Sequence, residues 1–253
     1  TIKPDFLGFH HRGVYANAYA PNGFHVASLV AYLLSDTPFA IDEDKRDNLK
    51  NALLVERVIA NTYDIPTAIN GRFPFQTEVI NEILPAYMYL ALAFDPVDPD
   101  LAKAFMRLWQ PETSYLKEGL FPQVSARIMY LDTPGAVEMM VDFANRGFEA
   151  EPMLSGHWTL PYGGLSVHRR EDWMGAMKGW SKYVWDFESS SNENLLGRYL
   201  SYGSTLIYGT GDPTGRESSG IARDGWDWTG WPGTTVIRLS DAELAESASD
   251  RNL

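Results

Sequence analysis

Apolar positions in the first part of the chain recur at helical spacing. Ala27 to Leu34 forms one such run, which stops short of the extended residue that precedes Pro38. A second helix is predicted after an Asp42 cap. Leu49, Leu53, Val55, Val58 and Ile59 make its core face, and Asp44, Lys45, Arg46 and Asp47 face water. Gly71-Arg72-Phe73-Pro74 interrupts the pattern, after which Thr77 is read as the cap of a helix through Ile80, Ile83, Leu84, Tyr87, Leu90 and Leu92, kinked at Pro85. Asp95 to Asp100 reads as a linker and Leu101 to Trp109 as the next helix. Thr133-Pro134-Gly135 and Gly147 bracket a further helix over Ala136 to Arg146. Up to residue 147 the pattern is one of paired helices.

From about His157 the punctuation changes to short aromatic and β-branched runs split by Gly, Asn and Asp. Leu165 to His168, Lys182 to Phe187, Thr205 to Tyr208 and Thr234 to Leu239 are the predicted strands of an antiparallel sheet. Helices followed by strands indicate an α+β chain or two domains, with the boundary near residues 148 to 156. The stretch Asp241 to Ser247 is polar and reads as having no closing element.

Composition narrows the class. The 253 residues, 45% apolar and 21% charged, are those of an ordinary globular protein able to bury a sizeable core. No run of about eighteen apolar residues predicts a membrane span, and Thr1 to Asp5 carries no signal-peptide pattern. The absence of cysteine removes disulfides, thiol catalysis and thiolate metal sites. A net charge of −12 argues against nucleic acid as a partner. An acidic sugar polymer would meet the same repulsion, screened beyond about 10 Å, so it would need a locally basic cleft. His11, Arg12, Arg72, Arg127, His168, Arg169 and Arg170 could supply one. Eight tryptophans and thirteen tyrosines serve a core, or stack on sugar rings.

The candidate chemistry is concentrated in Phe9 to Tyr19, where two histidines, two tyrosines, an arginine and an asparagine share one loop-like segment. Removing a proton from carbon at neutral pH calls for a base such as a phenolate or imidazole, with a cation beside it to hold the charge. The segment offers both bases. Two further stretches belong with it: Ile69 to Phe75, and Tyr183 to Glu188 running on into Asn192 to Tyr199.

Together with Asp36-Thr37-Pro38-Phe39, Val167-His168-Arg169, Gly225 to Trp228 and Pro232 to Thr235, the order and spacing of these motifs resemble polysaccharide lyase family 8. The likeness runs from Asp5 to about Leu239 and is strongest to the broad-specificity chondroitin sulfate ABC lyases. It implies an incomplete α/α toroid of helix pairs followed by an antiparallel β-sandwich. On that basis residues 1–150 are the C-terminal part of the toroid domain, and residues 151–253 are the N-terminal part of the sandwich domain. The remainder of a longer polypeptide is expected. The resemblance also implies β-elimination on a polymer of hexosamine and uronic acid, and a secreted or periplasmic bacterial protein.

By motif, Tyr19 matches the family's proton carrier, His11 the histidine beside it, Arg72 the arginine that lowers the phenol's pKa, and Glu188 the acid that orients arginine and histidine. This places the active site in a cleft between the two domains. Arg12, Asn17, Asn70, Gln76, His168 and Arg169 are the expected substrate contacts. Gln76 stands where some relatives carry a second arginine, which favours the ABC-type subgroup. The family asparagine that binds the uronate carboxylate would lie upstream of this chain. Tyr19 sits one residue further from the histidine than in the pattern, so Tyr15 competes as the base. No cofactor is required and no metal motif is present, although the resemblance admits a structural Ca²⁺. The rival readings are a non-catalytic acidic-glycan-binding protein of the same fold, and a glycoside hydrolase using a carboxylate pair, for which only Glu188 stands in a motif-like setting.

Overall fold

The computed structural model describes residues 1–61, 65–75, 80–109, 133–190, 193–209 and 226–248. It is an α+β chain in two compact units. One comprises Thr1–Ala20, Val58–Val79 and Leu154–Leu253, and the other Pro21–Arg57 and Ile80–Met153.

The second unit is helical. Helix α1 (Tyr19–Leu34) starts eight residues before the predicted run, and α2 (Glu43–Ile59) starts just after Asp42. Helix α3 (Ile80–Leu92) carries Pro85 inside it and continues to Leu92. Its predicted cap, Thr77, lies outside the described residues. Helix α4 (Pro99–Leu108) begins inside the predicted linker. Asp98 caps it by accepting from the Asp100 and Leu101 backbone N–H groups, and Pro99 takes the first position, where no N–H is needed. Thr133 caps α5 (Pro134–Ala144) in the same way. Tyr87, fully buried, donates to the Leu53 carbonyl at 2.6 Å, and Arg107 and Arg57 share Glu151. Tyr87, Arg107 and Arg57 thus find their partners within this unit.

The first unit is built on a four-stranded antiparallel meander, β3 (Ser155–Leu160), β4 (Leu165–Arg170), β5 (Trp173–Lys178) and β6 (Ser204–Tyr208), paired in that order. Period-two alternation sorts the faces. Leu165, Val167, Arg169, Met174, Ala176, Lys178, Leu206 and Tyr208 are buried, while His157, His168, Trp173, Met177 and Ile207 are exposed on the other side. Two predicted strands, Leu165 to His168 and Thr205 to Tyr208, are present in extended form. The other two are corrected: Lys182 to Phe187 and Thr234 to Leu239 are irregular, and β3 and β5 complete the sheet instead. Trp185 shows why, since its N–H goes to the Arg12 carbonyl of a loop and not to a ladder. Asp241 to Ser247 is also corrected. It lies in α6 (Asp241–Ala248), which buries Leu244 and Ala248 and supplies the Ala248 carbonyl to Ser189.

Asp5 fastens the N-terminal segment to this sheet by accepting from the Tyr162 and Gly163 N–H groups of the β3–β4 turn. Arg169 fastens Val58 and Ala60, donating to both carbonyls from a side chain that is 1% exposed. Both ties hold distant chain segments onto the sheet unit, which also contains the residues of the candidate site.

Candidate active site

The site grows from a small hairpin that the helical reading of the first 147 residues did not include. Strands β1 (Phe9–His10) and β2 (Gly13–Val14) pair with Phe9 opposite Val14, and His11 and Arg12 form the turn. His11 adopts φ +51, a conformation uncommon for a residue with a Cβ and found preferentially at functional positions. Beyond β2 the chain pairs through Tyr15 with Asn70, and the Ala16 N–H donates to the Ile69 carbonyl at 3.0 Å. That bridge carries the Gly71–Arg72 turn alongside Tyr19, where α1 begins.

Arg72 is the hub. It donates from Nη1 to Glu188 Oε1 at 3.1 Å and from Nη2 to the Tyr19 hydroxyl at 2.8 Å. Its backbone N–H also points at the Tyr15 hydroxyl, at 3.3 Å. Burial opposes the guanidinium charge, but Tyr15, Tyr19, Glu188 and Glu193 more than offset it, and the pKa of Arg72 is raised above its ordinary value. Glu188 is 2% exposed. A buried carboxylate is tolerated when charge and hydrogen bonds compensate it. Tyr15 donates to its Oε1 at 2.5 Å, and His11 Nδ1 lies 3.5 Å from its Oε2.

The two tyrosines have different environments. Tyr15 is fully buried, and burial, reinforced by its bond to Glu188, pushes its pKa far above the usual tyrosine range. Tyr19 is 42% exposed and bonded to a cation. His10 stacks on the Tyr19 ring with centroids 4.1 Å apart, and its own pKa is lowered, first by burial and then by neighbouring His11.

The expected residues divide accordingly. His11, Tyr19, Arg72 and Glu188 are brought together. Asn17 is buried and donates to the Phe73 carbonyl at 3.3 Å, at the floor of the same loop. Arg12 is exposed at the hairpin turn. Three of the expected substrate contacts present no open surface to this cluster. Asn70 is completely buried and offers a ligand no surface. Arg169 is buried on carbonyls, and His168 stands on the opposite, exposed face of the sheet. Gln76 and Arg127 lie outside the described residues. Glu193 was missed as a site residue. Its Oε2 is 3.1 Å from Arg72 Nε. Glu193 lies in the Asn192 to Tyr199 stretch already read as a motif, but nothing local in that stretch singles it out from its polar neighbours.

His10, His11 and Glu188 place three ligand atoms within 4.8 Å of one another. Two imidazoles do not suit Ca²⁺, which prefers oxygen, and Arg72 already occupies Glu188 and would repel a second cation. The cluster is therefore poorly suited to Ca²⁺. Chemically it offers a phenol beside a fixed cation, with a buried carboxylate locking that cation and an imidazole in place.

Comparison with known proteins identifies two domains along the chain. Residues 1–115 match the family model described as the catalytic domain of a lyase, and residues 156–251 match the super-sandwich domain of polysaccharide lyase family 8. The chain is 32% identical over 247 residues to the chondroitin sulfate ABC exolyase of Bacteroides thetaiotaomicron, covering 94% of this chain and 24% of that protein. It is 27% identical over 244 residues to the chondroitin sulfate ABC endolyase of Proteus vulgaris, covering 96% and 21%. The chain thus spans less than a quarter of the length of these curated relatives. Its fold is similar to that of the Streptomyces coelicolor A3 chondroitin AC lyase, solved in complex with chondroitin sulphate (TM-score 0.71, 18% identity, 94% of this chain and 33% of that one). It is similar also to a Paenibacillus xanthan lyase (TM-score 0.71, 14% identity, 94% and 22%). With both domain models matched in order along its length, the chain belongs to polysaccharide lyase family 8.

Proposed function

We propose that this chain is the central catalytic portion of a lyase that cleaves uronate-containing glycosaminoglycans of the chondroitin and dermatan sulfate class by β-elimination, with hyaluronan as a further substrate to test. The observation that carries the proposal is Arg72 bridging the Tyr19 hydroxyl and buried Glu188. In the proposed reaction Tyr19, as phenolate, takes the proton on the carbon next to the uronate carboxylate. The electrons of that C–H bond form the new carbon–carbon double bond, and the glycosidic C–O pair leaves with its oxygen. The Tyr19 hydroxyl then gives its proton to that oxygen, and the phenolate is restored. Arg72 holds the phenolate charge in a preorganised way, and Glu188 orients Arg72 and His11. Tyr15, buried and bonded to Glu188, keeps the carboxylate in place and is not the base.

In this reading residues 1–150 and 151–253 belong to the toroid and sandwich domains of a longer secreted or periplasmic protein, and the partner is the acidic polysaccharide alone. The base and the cation are both protein groups, so the proposal requires no cofactor. No helix among the described residues is long and apolar enough to cross a membrane. The test is to digest chondroitin, dermatan and hyaluronan with the full-length protein and follow ultraviolet absorbance. Elimination leaves a conjugated double bond that absorbs. Hydrolysis gives cleavage without that absorbance, and a binding protein gives neither; either result overturns the proposal.

A further inference from the structure

Arg72 uses Nη1 on Glu188 and Nη2 on Tyr19, and its remaining edge faces Glu193, with Oε2 3.1 Å from Nε. That approach lacks hydrogen-bond geometry, since the buried Nε–H has no acceptor in line, so the contact is coulombic. Glu193 is 43% exposed, yet it is not a loose surface acid. Its Oε2 accepts from Ser190 Oγ at 2.8 Å, and the Ser190 and Glu193 backbones bond to each other in both directions. The next residue, Asn194, sits at φ +54 and donates from its amide to the Glu188 carbonyl at 2.8 Å and the Gly71 carbonyl at 3.4 Å. The turn that carries Glu193 is thereby tied to both segments that carry Glu188 and Arg72.

We infer that Glu193 is a positioning residue that fixes the third edge of Arg72 and sets the pH at which Tyr19 becomes available as a base. The inference rests on the reading of Tyr19 given above. The groups facing Tyr19 are Arg72 at its hydroxyl, His10 stacked on its ring, and the rings of Tyr15 and Phe73. Those facing Arg72 are Glu188 and Glu193, with His11 beyond Glu188. One guanidinium against two carboxylates leaves the cluster with an excess negative charge when the histidines are neutral. Each carboxylate subtracts from the field that would stabilise a Tyr19 phenolate. Glu188 does so from a buried position that also organises the site, whereas Glu193 acts mainly through its charge.

Glu193→Gln keeps the shape and an acceptor for Ser190 while removing the charge. In the full-length protein the rising limb of kcat/KM against pH should move to lower pH by about 0.5 unit, the order expected for one charge removed from a partly solvated site. Glu193→Asp, which retains the charge, should leave the limb near its original pH. Glu193→Ala is the second variant, should the amide fail to fold, and should move the limb the same way with a several-fold lower kcat. A limb that stays in place or rises in the charge-removing variants overturns the inference, because a merely structural turn would lower kcat without moving it. Turnover by Tyr19→Phe would remove the base assignment instead. An unmoved limb in an enzyme whose Tyr19→Phe variant is inactive would remove only the role of Glu193.

Discussion

Gly71 lies against the ring of Tyr15 so closely that a Cβ on residue 71 would stand 2.1 Å from Tyr15 Cζ. Gly71 also holds φ +54, a conformation that glycine adopts without steric cost. The contact lets the Arg72 turn close over the buried phenol. Gly71→Ala should therefore lower stability by about 2–4 kcal/mol through overpacking and strain combined. It should also displace Tyr15 from Glu188. Thermal unfolding and activity of the full-length variant check this, and a variant with native stability and rate would refute it.

Tyr15 and Tyr19 should separate cleanly on removal of their hydroxyls. Tyr19→Phe keeps the ring that stacks on His10, so polymer binding should persist while elimination disappears. Tyr15→Phe loses one buried hydrogen bond to a carboxylate, so about 1–3 kcal/mol of stability should go, with reduced but measurable turnover. Binding isotherms and product absorbance for both variants are the measurements, and substantial turnover by Tyr19→Phe on glucuronate-rich polymer would move the base to Tyr15.

Replacing Arg72 should act through charge as well as geometry. Arg72→Ala removes the cation from the Tyr19 hydroxyl, so the phenolate forms less readily and the rising limb of the rate profile should shift to higher pH. Arg72→Lys keeps a charge but not a fork that serves Glu188 and Tyr19 at once, and should lose about 10²-fold or more in kcat. A pH profile for Arg72→Ala that is lower in rate but unshifted would contradict the assigned role.

Lys178 is buried in the sheet face beside Asp186, and burial lowers its pKa to about 8 from 10.5, with Asp186 opposing the fall. The depressed value fixes the sign. The folded state releases this proton near pH 8 while the unfolded chain keeps it to 10.5, so the unfolded state binds more protons in between and stability rises with pH across that window. Relative to Lys178→Met, the wild type should gain up to about 3 kcal/mol between those limits. Denaturant melts of both proteins at several pH values test this, and a difference independent of pH would show that the amine is not buried as described.

Arg169 and His168 are neighbours in sequence with opposite fates. Arg169→Met should cost about 2–4 kcal/mol, because the Val58 and Ala60 carbonyls lose their donor. His168→Ala, on the exposed face, should leave both stability and KM near wild type. A KM raised strongly by His168→Ala would restore it as a substrate contact.

Much of the helical part could be read locally, because a helix is closed by bonds between near neighbours and announces itself by spacing and caps. Asp98 ahead of Pro99 and Thr133 ahead of Pro134 are such signals, and both caps are present. The sheet was only half legible. Leu165 and Thr205 begin β-branched alternation that pairs. Ser155–Leu160 and Trp173–Lys178 contain glycine, methionine and alanine, and become strands because neighbours present open edges. Lys182 to Phe187 had the better local pattern and lacked a strand to pair with.

The identities of His11, Tyr19, Arg72 and Glu188 could be named from the order of motifs shared with the resembled family. Their assembly could not be derived from the chain alone. Arg72 lies 53 residues from Tyr19 and 116 from Glu188 in sequence, so nothing local says that one guanidinium meets both. Nor does the sequence distinguish two tyrosines four positions apart. Tyr15 is buried against Gly71 and Glu188, while Tyr19 stays exposed at the start of α1 and bonded to Arg72. Glu193 joined the site for the same reason: its partner is chosen by the turn that Asn194 ties to Gly71, a contact spanning 123 residues. Periodicity and caps act over a few residues, whereas burial and charge pairing are set by whichever distant segments the folded core brings together.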